Sequence, residues 1–345
     1  MTAPDAPRRL VVRLPNWLGD VMMALPALAM VRQAFPDAFL ALAASSSIAP
    51  VFEEHTPLGQ QQLITMDKAT EAVSLREGSF DTILLLTNSF RSAWIARRSG
   101  IPNRWGYAAG ARGPLLTKSV ATPRTVHQSE FYLRLVGGLG MGVAQPFRAA
   151  SPGDASPLAV TAGTRLRTLR LFEQLGIAPG TPLVGFAPGA AYGHAKRWPP
   201  DRVARVLTRL WQERGIRAVL VGAGGDREAG RAIESSVPPD VNLVNLIGRT
   251  DLRLLMGVIH ACRAFVSNDS GAMHLAAALG VPVTAIFGPT NERATAPLGD
   301  HDVLLHPVFC RPCMLRECPI DHRCMKRIRE EDVYGAVTRR MDRHA

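Results

Sequence analysis

Long apolar runs are missing from this sequence, and their absence excludes a great deal. No stretch approaches the roughly 18 uninterrupted apolar residues of a membrane span; the nearest, Ala38 to Phe52, is broken by Ser45, Ser46, Ser47 and Pro50. Residues 1–9 lack the apolar core of a secretory signal, so the chain is expected to work in the cytoplasm. Aromatic residues are scarce, at 6%. With no aromatic-rich RNA motif, zinc finger or basic heptad helix in view, nucleic acid is not the expected partner. A Gly-Lys-Ser/Thr phosphate loop is absent too. The dinucleotide fingerprint begins at Gly222-Ala223-Gly224 but has Arg227 where its last glycine belongs, which argues against a nicotinamide dehydrogenase. Acid is missing locally: between Asp81 and Glu130 there is none, while Arg91, Arg97, Arg98, Arg104, Arg112, Lys118 and Arg124 fill the gap.

What is present suits a large soluble enzyme or binding protein. The 345 residues, 47% hydrophobic and 20% charged, are enough for two domains with separate cores. The net charge of +11 favours an anionic partner. The acid-free basic stretch reads either as a solvated face or as a docking surface for a phosphorylated or carboxylated substrate or an anionic membrane.

Strand-like and helical runs alternate in two series, as doubly wound parallel sheets require. "RLVVRL", "AFLALAA" and "DTILLLT" belong to the first, with helices after Leu18 and Ser89. A Pro, Gly, Ala and Ser-rich linker over 142–163 interrupts the pattern. "PLVGFAPG", "RAVLVGAGG", "VNLVNLIG", "AFVSNDSG" and "VPVTAIFGPT" make five strand-then-turn units of the second series. The expected class is α/β, with two Rossmann-like domains, 1–160 and 161–345, facing across a cleft.

Candidate chemistry collects at strand ends, where open α/β sheets bind ligands. In "RLPNWLGDVMMALPAL" a single acid, Asp20, stands between the first strand and an apolar helix. In "FVSNDSGAMHLAAALG" a tight turn through Asp269 and Ser270 leads into a helix beginning near Gly271. Free N–H groups and the helix dipole there suit a diphosphate, with His274 one turn in. The bland alternative makes Asp269 or Ser270 a simple N-cap and His274 a packing residue. "FAPGAAYGHAKRWP" brings Lys196 and Arg197 to the same sheet edge, where a cation meets phosphate oxygens.

Four of five cysteines, Cys310, Cys313, Cys318 and Cys324, form a C-x2-C-x4-C-x5-C run at 310–324, with Cys262 apart. In a reducing compartment disulfides are not expected. Two readings stand side by side: reduced cysteines packing a loop, or thiolate ligands of a structural zinc or iron–sulfur cluster.

Taken together, "LPNWLGDVMMALPAL", "TNSFRSAWIARRSGIPNRWGY", "PGAAYGHAKRWP" and "NDSGAMHLAAALGVPVTAIFGPT" closely resemble the ADP-heptose:lipopolysaccharide heptosyltransferases of glycosyltransferase family 9, of the heptosyltransferase II type. The resemblance runs through nearly the whole chain, motifs in order. It implies a GT-B fold and an inverting transfer, with no metal required for catalysis, from ADP-heptose to the inner core of a lipid A-core acceptor. The setting it implies is the cytoplasmic side of a Gram-negative inner membrane, with peripheral membrane contact. On this resemblance Asp20 is the catalytic base, and Lys196 neutralises the leaving ADP. Ser270, Gly271 and His274 surround the diphosphate, with Asp269 nearer the sugar. Arg91 lies in the matching "NSFRSA" segment on the acceptor side, and charge alone adds Arg97 and Arg98. The alternatives are another GT-B sugar-nucleotide enzyme, such as an epimerase, and a nucleotide-binding module without catalysis.

Overall fold

The computed structural model describes residues 6–59, 61–67, 69–142 and 156–343. The chain divides into two compact units, Met1–Arg148 and Ala149–Ala345. Most of the expected linker, 143–155, lies outside the described residues. Residues 156–160 go with the second unit, ahead of the expected 160/161 boundary. The Leu158 N–H donates to the Ala278 carbonyl at 3.1 Å, and Leu158 and Val160 are buried.

In the first unit, β1 (Arg9–Arg13), β2 (Phe39–Ser45), β3 (Gln62–Met66), β4 (Thr82–Leu85), β5 (Asn103–Tyr107) and β6 (Lys118–Val120) form one parallel sheet, ordered β3-β2-β1-β4-β5-β6. Val11 of β1 lies between Ala41 and Ile83 of its two neighbours. Central strands covered on both faces must be apolar throughout, which is why "LVV" and "TILL" read as continuous runs. The helices are α1 (Leu18–Ala34), α2 (Glu71–Glu77), α3 (Phe90–Arg98) and α4 (Gln128–Gly138). Helix α1 packs on α4 and buries most of its surface, so it shows little amphipathic bias. Helix α3 starts where the sequence expects, with the Ser89 hydroxyl accepting from the Ser92 N–H at 3.2 Å.

The second unit repeats the plan. Its strands are β7 (Leu183–Ala187), β8 (Arg217–Leu220), β9 (Leu243–Asn245), β10 (Ala264–Asn268), β11 (Val283–Phe287) and β12 (His301–Leu305), ordered β12-β11-β10-β7-β8-β9. Read from the other edge, this is the order of the first sheet. Around it lie α5 (Ala162–Gln174), α6 (Pro200–Arg214), α7 (Arg227–Glu234), α8 (Leu252–His260), α9 (Gly271–Ala278), α10 (Glu292–Thr295), α11 (Arg323–Lys326) and α12 (Glu330–Arg343). Proline opens α6, and Gly215 closes it in the left-handed conformation at φ 62°. The core beneath α6 and α12 is built around Phe186, Trp198, Leu207, Leu220 and Met325.

Each sheet therefore has one switch point of the same kind, between β1 and β4 in the first and between β7 and β10 in the second. Connections leaving two adjacent parallel strands in opposite directions open a crevice at their carboxyl ends. Among the described residues no helix is long and apolar enough to cross a membrane.

Candidate active site

The first switch point holds Asp20. The turn after β1 carries Pro15, Asn16 and Trp17, and Asp20 sits in the first turn of α1, at the positive end of the helix dipole. Asp20 lines a cavity of about 280 Å³ together with Arg13, Glu71, Arg91, Gln128 and Tyr132, the loop 86–89 forming another wall. Burial raises its carboxyl above the ordinary aspartate range. No ion pair reaches it among the described residues. Tyr132, 3% exposed, is itself pushed upward by burial and by the Asp20 charge. A carboxylate with a raised pKa in a polar cavity is placed to take a proton from a hydroxyl.

Of the three arginines expected on the acceptor side, Arg91 lines this cavity with Asp20, and Arg97 and Arg98 do not. They lie in the last turn of α3, exposed, where their charge complements the carbonyl end of the helix. Others of the basic stretch are spent on backbone. Arg112, fully buried, donates to the carbonyls of Tyr107 and Thr87 and to Asn88 Oδ1 at 3.2 Å. Arg104 and Lys118 likewise end on carbonyls, of Leu115 and Leu139. Within the acid-free stretch, Arg112 thus braces the loop 86–89.

At the second switch point the Lys196 ammonium, in a short 3-10 turn after β7, lies 2.5 Å from Asp269 Oδ2, just past β10. Both side chains are nearly buried. The Thr290 hydroxyl donates to the same carboxylate oxygen at 2.7 Å. Asn268 ties the two loops together: its amide donates to Pro188 O at 2.7 Å, and its Oδ1 accepts from the Trp198 N–H at 3.2 Å. Ser270 is the N-cap residue of α9 by backbone, but its hydroxyl makes no cap bond and meets Ser267 Oγ at 3.0 Å instead. Nor is Asp269 a cap, since Lys196 and Thr290 engage it. The simple-cap reading fails for both, and the N–H groups at Gly271 and beyond are not taken by either side chain. His274 is buried within α9. Arg197 pairs with Asp226 at 3.1 Å. Gly189 is required there, because a Cβ would lie 2.0 Å from the Asp226 carboxyl carbon.

The Cys-rich segment packs against the Lys196 loop. The Ala195 N–H donates to Arg316 O at 2.9 Å, Tyr192 Oη donates to Met314 O at 2.9 Å, and a Cβ on Gly193 would approach Arg316 O to 2.4 Å. Arg311 reaches the carbonyls of Gly288 and Thr290. Cys310, Cys313, Cys318 and Cys324 are free thiols. Burial first, then the other three thiols, raise the Cys324 pKa. Among the described residues, however, no group of three or more His, Cys, Asp or Glu side chains is arranged to hold a metal ion. Through its backbone contacts the segment braces the Lys196 loop.

Sequence reasoning passed over Glu71, Tyr132, Thr290 and Asn268. Nothing in "TEAVSLREG" distinguishes Glu71 from a surface acid, whereas Asn268 and Thr290 stand beside motifs already singled out and had a local signal.

Two Rossmann-like units, one with a carboxylate lining a cavity and the other with a cation beside a helix start, define a glycosyltransferase of the GT-B class. Residues 71–323 match the model of glycosyltransferase family 9 (heptosyltransferase). The chain is 33% identical over 306 residues to lipopolysaccharide heptosyltransferase 2 of Escherichia coli K12, covering 84% of this chain and 85% of that one. The solved structure of E. coli ADP-heptose lps heptosyltransferase II superposes with a TM-score of 0.82 at 29% identity, over 97% of this chain and 99% of that one. A glycosyl transferase family 9 structure from Veillonella parvula shares the fold, with a TM-score of 0.84 at 22% identity over 97% and 98%. The chain belongs to glycosyltransferase family 9.

Proposed function

We propose that the protein transfers heptose from ADP-heptose to the inner core of lipopolysaccharide with inversion at the anomeric carbon. Asp20 takes the proton of the acceptor hydroxyl as its oxygen bonds to that carbon. The bond from the carbon to the diphosphate oxygen breaks, and ADP leaves with the electron pair. Lys196 and the N–H groups from Gly271 onward receive the negative charge, with Ser270 and His274 beside them and Asp269 holding Lys196 in place. Fixed donors of this kind stabilise a leaving oxyanion by several kcal/mol, which is what allows transfer without a metal.

The observation that carries this reading is the Asp20 cavity. A nucleotide-binding module needs only the second switch point; a carboxylate lining a cavity beside Arg91 has a purpose in transfer. Peripheral contact with the cytoplasmic face of the inner membrane is supported by the outer side of α3. There Phe90 and Trp94 stack 6.4 Å apart, 50% and 45% exposed, with Arg97 and Arg98 following, and Trp17 is 62% exposed. Aromatic rings next to arginines suit the interface of an anionic bilayer.

The test is a panel of ADP- and UDP-sugars offered to the purified protein with a truncated lipopolysaccharide acceptor, products being read by mass spectrometry. Heptose transfer from ADP-heptose, unchanged by EDTA, is expected. Transfer of a different sugar, or a requirement for added magnesium, overturns it.

A further inference from the structure

Helix α2 contributes one residue that the scheme above leaves unused. Glu71 is 3% exposed, unusual for a carboxylate in the first turn of a short helix. Its Oε1 accepts from Arg13 Nε at 2.8 Å, and its Oε2 from Arg91 Nη1 at 2.6 Å. Each oxygen holds a different arginine, and all three residues line the Asp20 cavity. Arg13 is buried and extends the network: Nη2 donates to Asn16 Oδ1 at 3.0 Å and Nη1 to Leu14 O at 2.6 Å. Asn16 belongs to the turn that delivers Asp20. Arg91 differs, its side chain being 50% exposed although one end is fixed.

We propose that Glu71 is a positioning residue for both halves of this cavity, and that it presents Arg91 to an anionic oxygen, phosphate or carboxylate, on the acceptor. One arm runs from Glu71 through Arg91 to the acceptor. The other runs from Glu71 through Arg13 and Asn16 to the Asp20 turn. A guanidinium held by a fixed ion pair keeps its plane, so less freedom is lost when an anion binds at its exposed side. Glu71 also offsets the charge of buried Arg13, which could not be left alone at that depth. The inference rests on the transferase reading and names how its acceptor side is recognised.

Two signatures separate positioning from mere structural support. In Glu71→Gln the amide oxygen serves one arginine while the NH2 group faces the other, so both arms weaken at constant volume. The acceptor KM is expected to rise about 10-fold and kcat to fall about 10-fold, with the ADP-heptose KM within about twofold of wild type. Arg91→Ala should raise the acceptor KM comparably and leave kcat nearly intact. Adding Glu71→Gln to Arg91→Ala should then lower kcat without raising KM further, because residues acting through one another are not additive. Glu71→Asp, which retains the charge, should recover part of both parameters. Dephosphorylated acceptor and acceptor with its carboxylates amidated identify the anion: the modification that abolishes the difference between wild type and Arg91→Ala marks it.

Additive KM effects in the double variant, or a Glu71→Gln enzyme with wild-type kcat and KM, overturn the proposal. So does a penalty unchanged on both modified acceptors. If wild type transfers no heptose at all, the function reading fails separately. Calorimetric binding of the acceptor to wild type, Arg91→Ala and Glu71→Gln then decides the Arg91 arm: equal affinities refute it. Should Glu71→Gln not fold, Glu71→Asp with the Arg91→Ala cycle gives the same decision.

Discussion

At the first switch point Asp20 has no ion pair among the described residues and is pushed upward by burial, whereas at the second Asp269 is held by both Lys196 and Thr290. The two sheets have the same strand order, so the difference comes from what the loops place there. An uncompensated carboxylate is costly to the folded chain and ready to accept a proton. A compensated one fixes a cation where a phosphate would need it. One topology thus supports two different electrostatic arrangements, a carboxylate unpaired among the described residues in one unit and a paired one in the other, which the proposed reading uses as base and as charge acceptor.

Removing each charge should break that contrast in opposite directions. Asp20→Asn is expected to lower kcat by about 10²–10⁴-fold, and at neutral pH to raise Tm. The sign follows from the raised folded pKa. The Asp20 contribution to stability is present at low pH and is lost as pH rises through that value, a loss that asparagine avoids. For the same reason wild-type kcat should fall as pH drops through a value above the ordinary aspartate range. A lower Tm for Asp20→Asn, or turnover near wild type, would contradict the assignment.

Lys196→Ala should reduce turnover by about 100-fold, and here Tm should fall, since Asp269 is left buried with Thr290 as its remaining partner. Loss of one member of a buried pair costs about 3–5 kcal/mol. Thermal melts of Lys196→Ala and Lys196→Ala/Asp269→Asn sharpen the comparison: the second substitution should restore much of the stability and none of the turnover. A smaller effect is expected from Gly193→Ala, whose new methyl meets the Arg316 backbone. Overpacking there should cost about 1–3 kcal/mol and weaken ADP binding by calorimetry, while acceptor affinity stays unchanged. The smallest effect belongs to Arg97 and Arg98. Reversing both charges should change the acceptor KM about two- to threefold in dilute buffer, the difference vanishing in high salt because exposed charges are screened. A larger shift than that of Arg91→Ala would move the acceptor site toward the far end of α3.

How far the sequence reaches depends on which elements are buried. Central strands β1, β4, β7, β10 and β11 are legible because both faces are covered and each carries a short apolar run, bounded by Arg9 and Arg13 in β1 and followed by Ser267 and Asn268 in β10. Edge strands β3, β6 and β12 escape notice: "QLITM", "KSV" and "HDVLL" lie at sheet margins, partly exposed, and carry no continuous apolar run. Strand β5, "NRWGY", is masked by the charges around it.

The same division holds at the site. Asp20, Lys196 and the turn at Asp269 could be named from sequence because each lies in the connection leaving a strand, and chain order alone sends strand ends to the ligand-binding edge. Only tertiary structure decided their partners. Lys196 and Asp269 are 73 residues apart, and Glu71 is 58 from Arg13 and 20 from Arg91. Tertiary structure also separated the arginines of the acid-free stretch into one at the cavity, several bound to carbonyls and a pair on an exposed helix end. Local pattern sets which residues leave a strand together. Burial, counter-charge and hence pKa depend on what the sheet order folds against them, and that information is distributed along the whole chain.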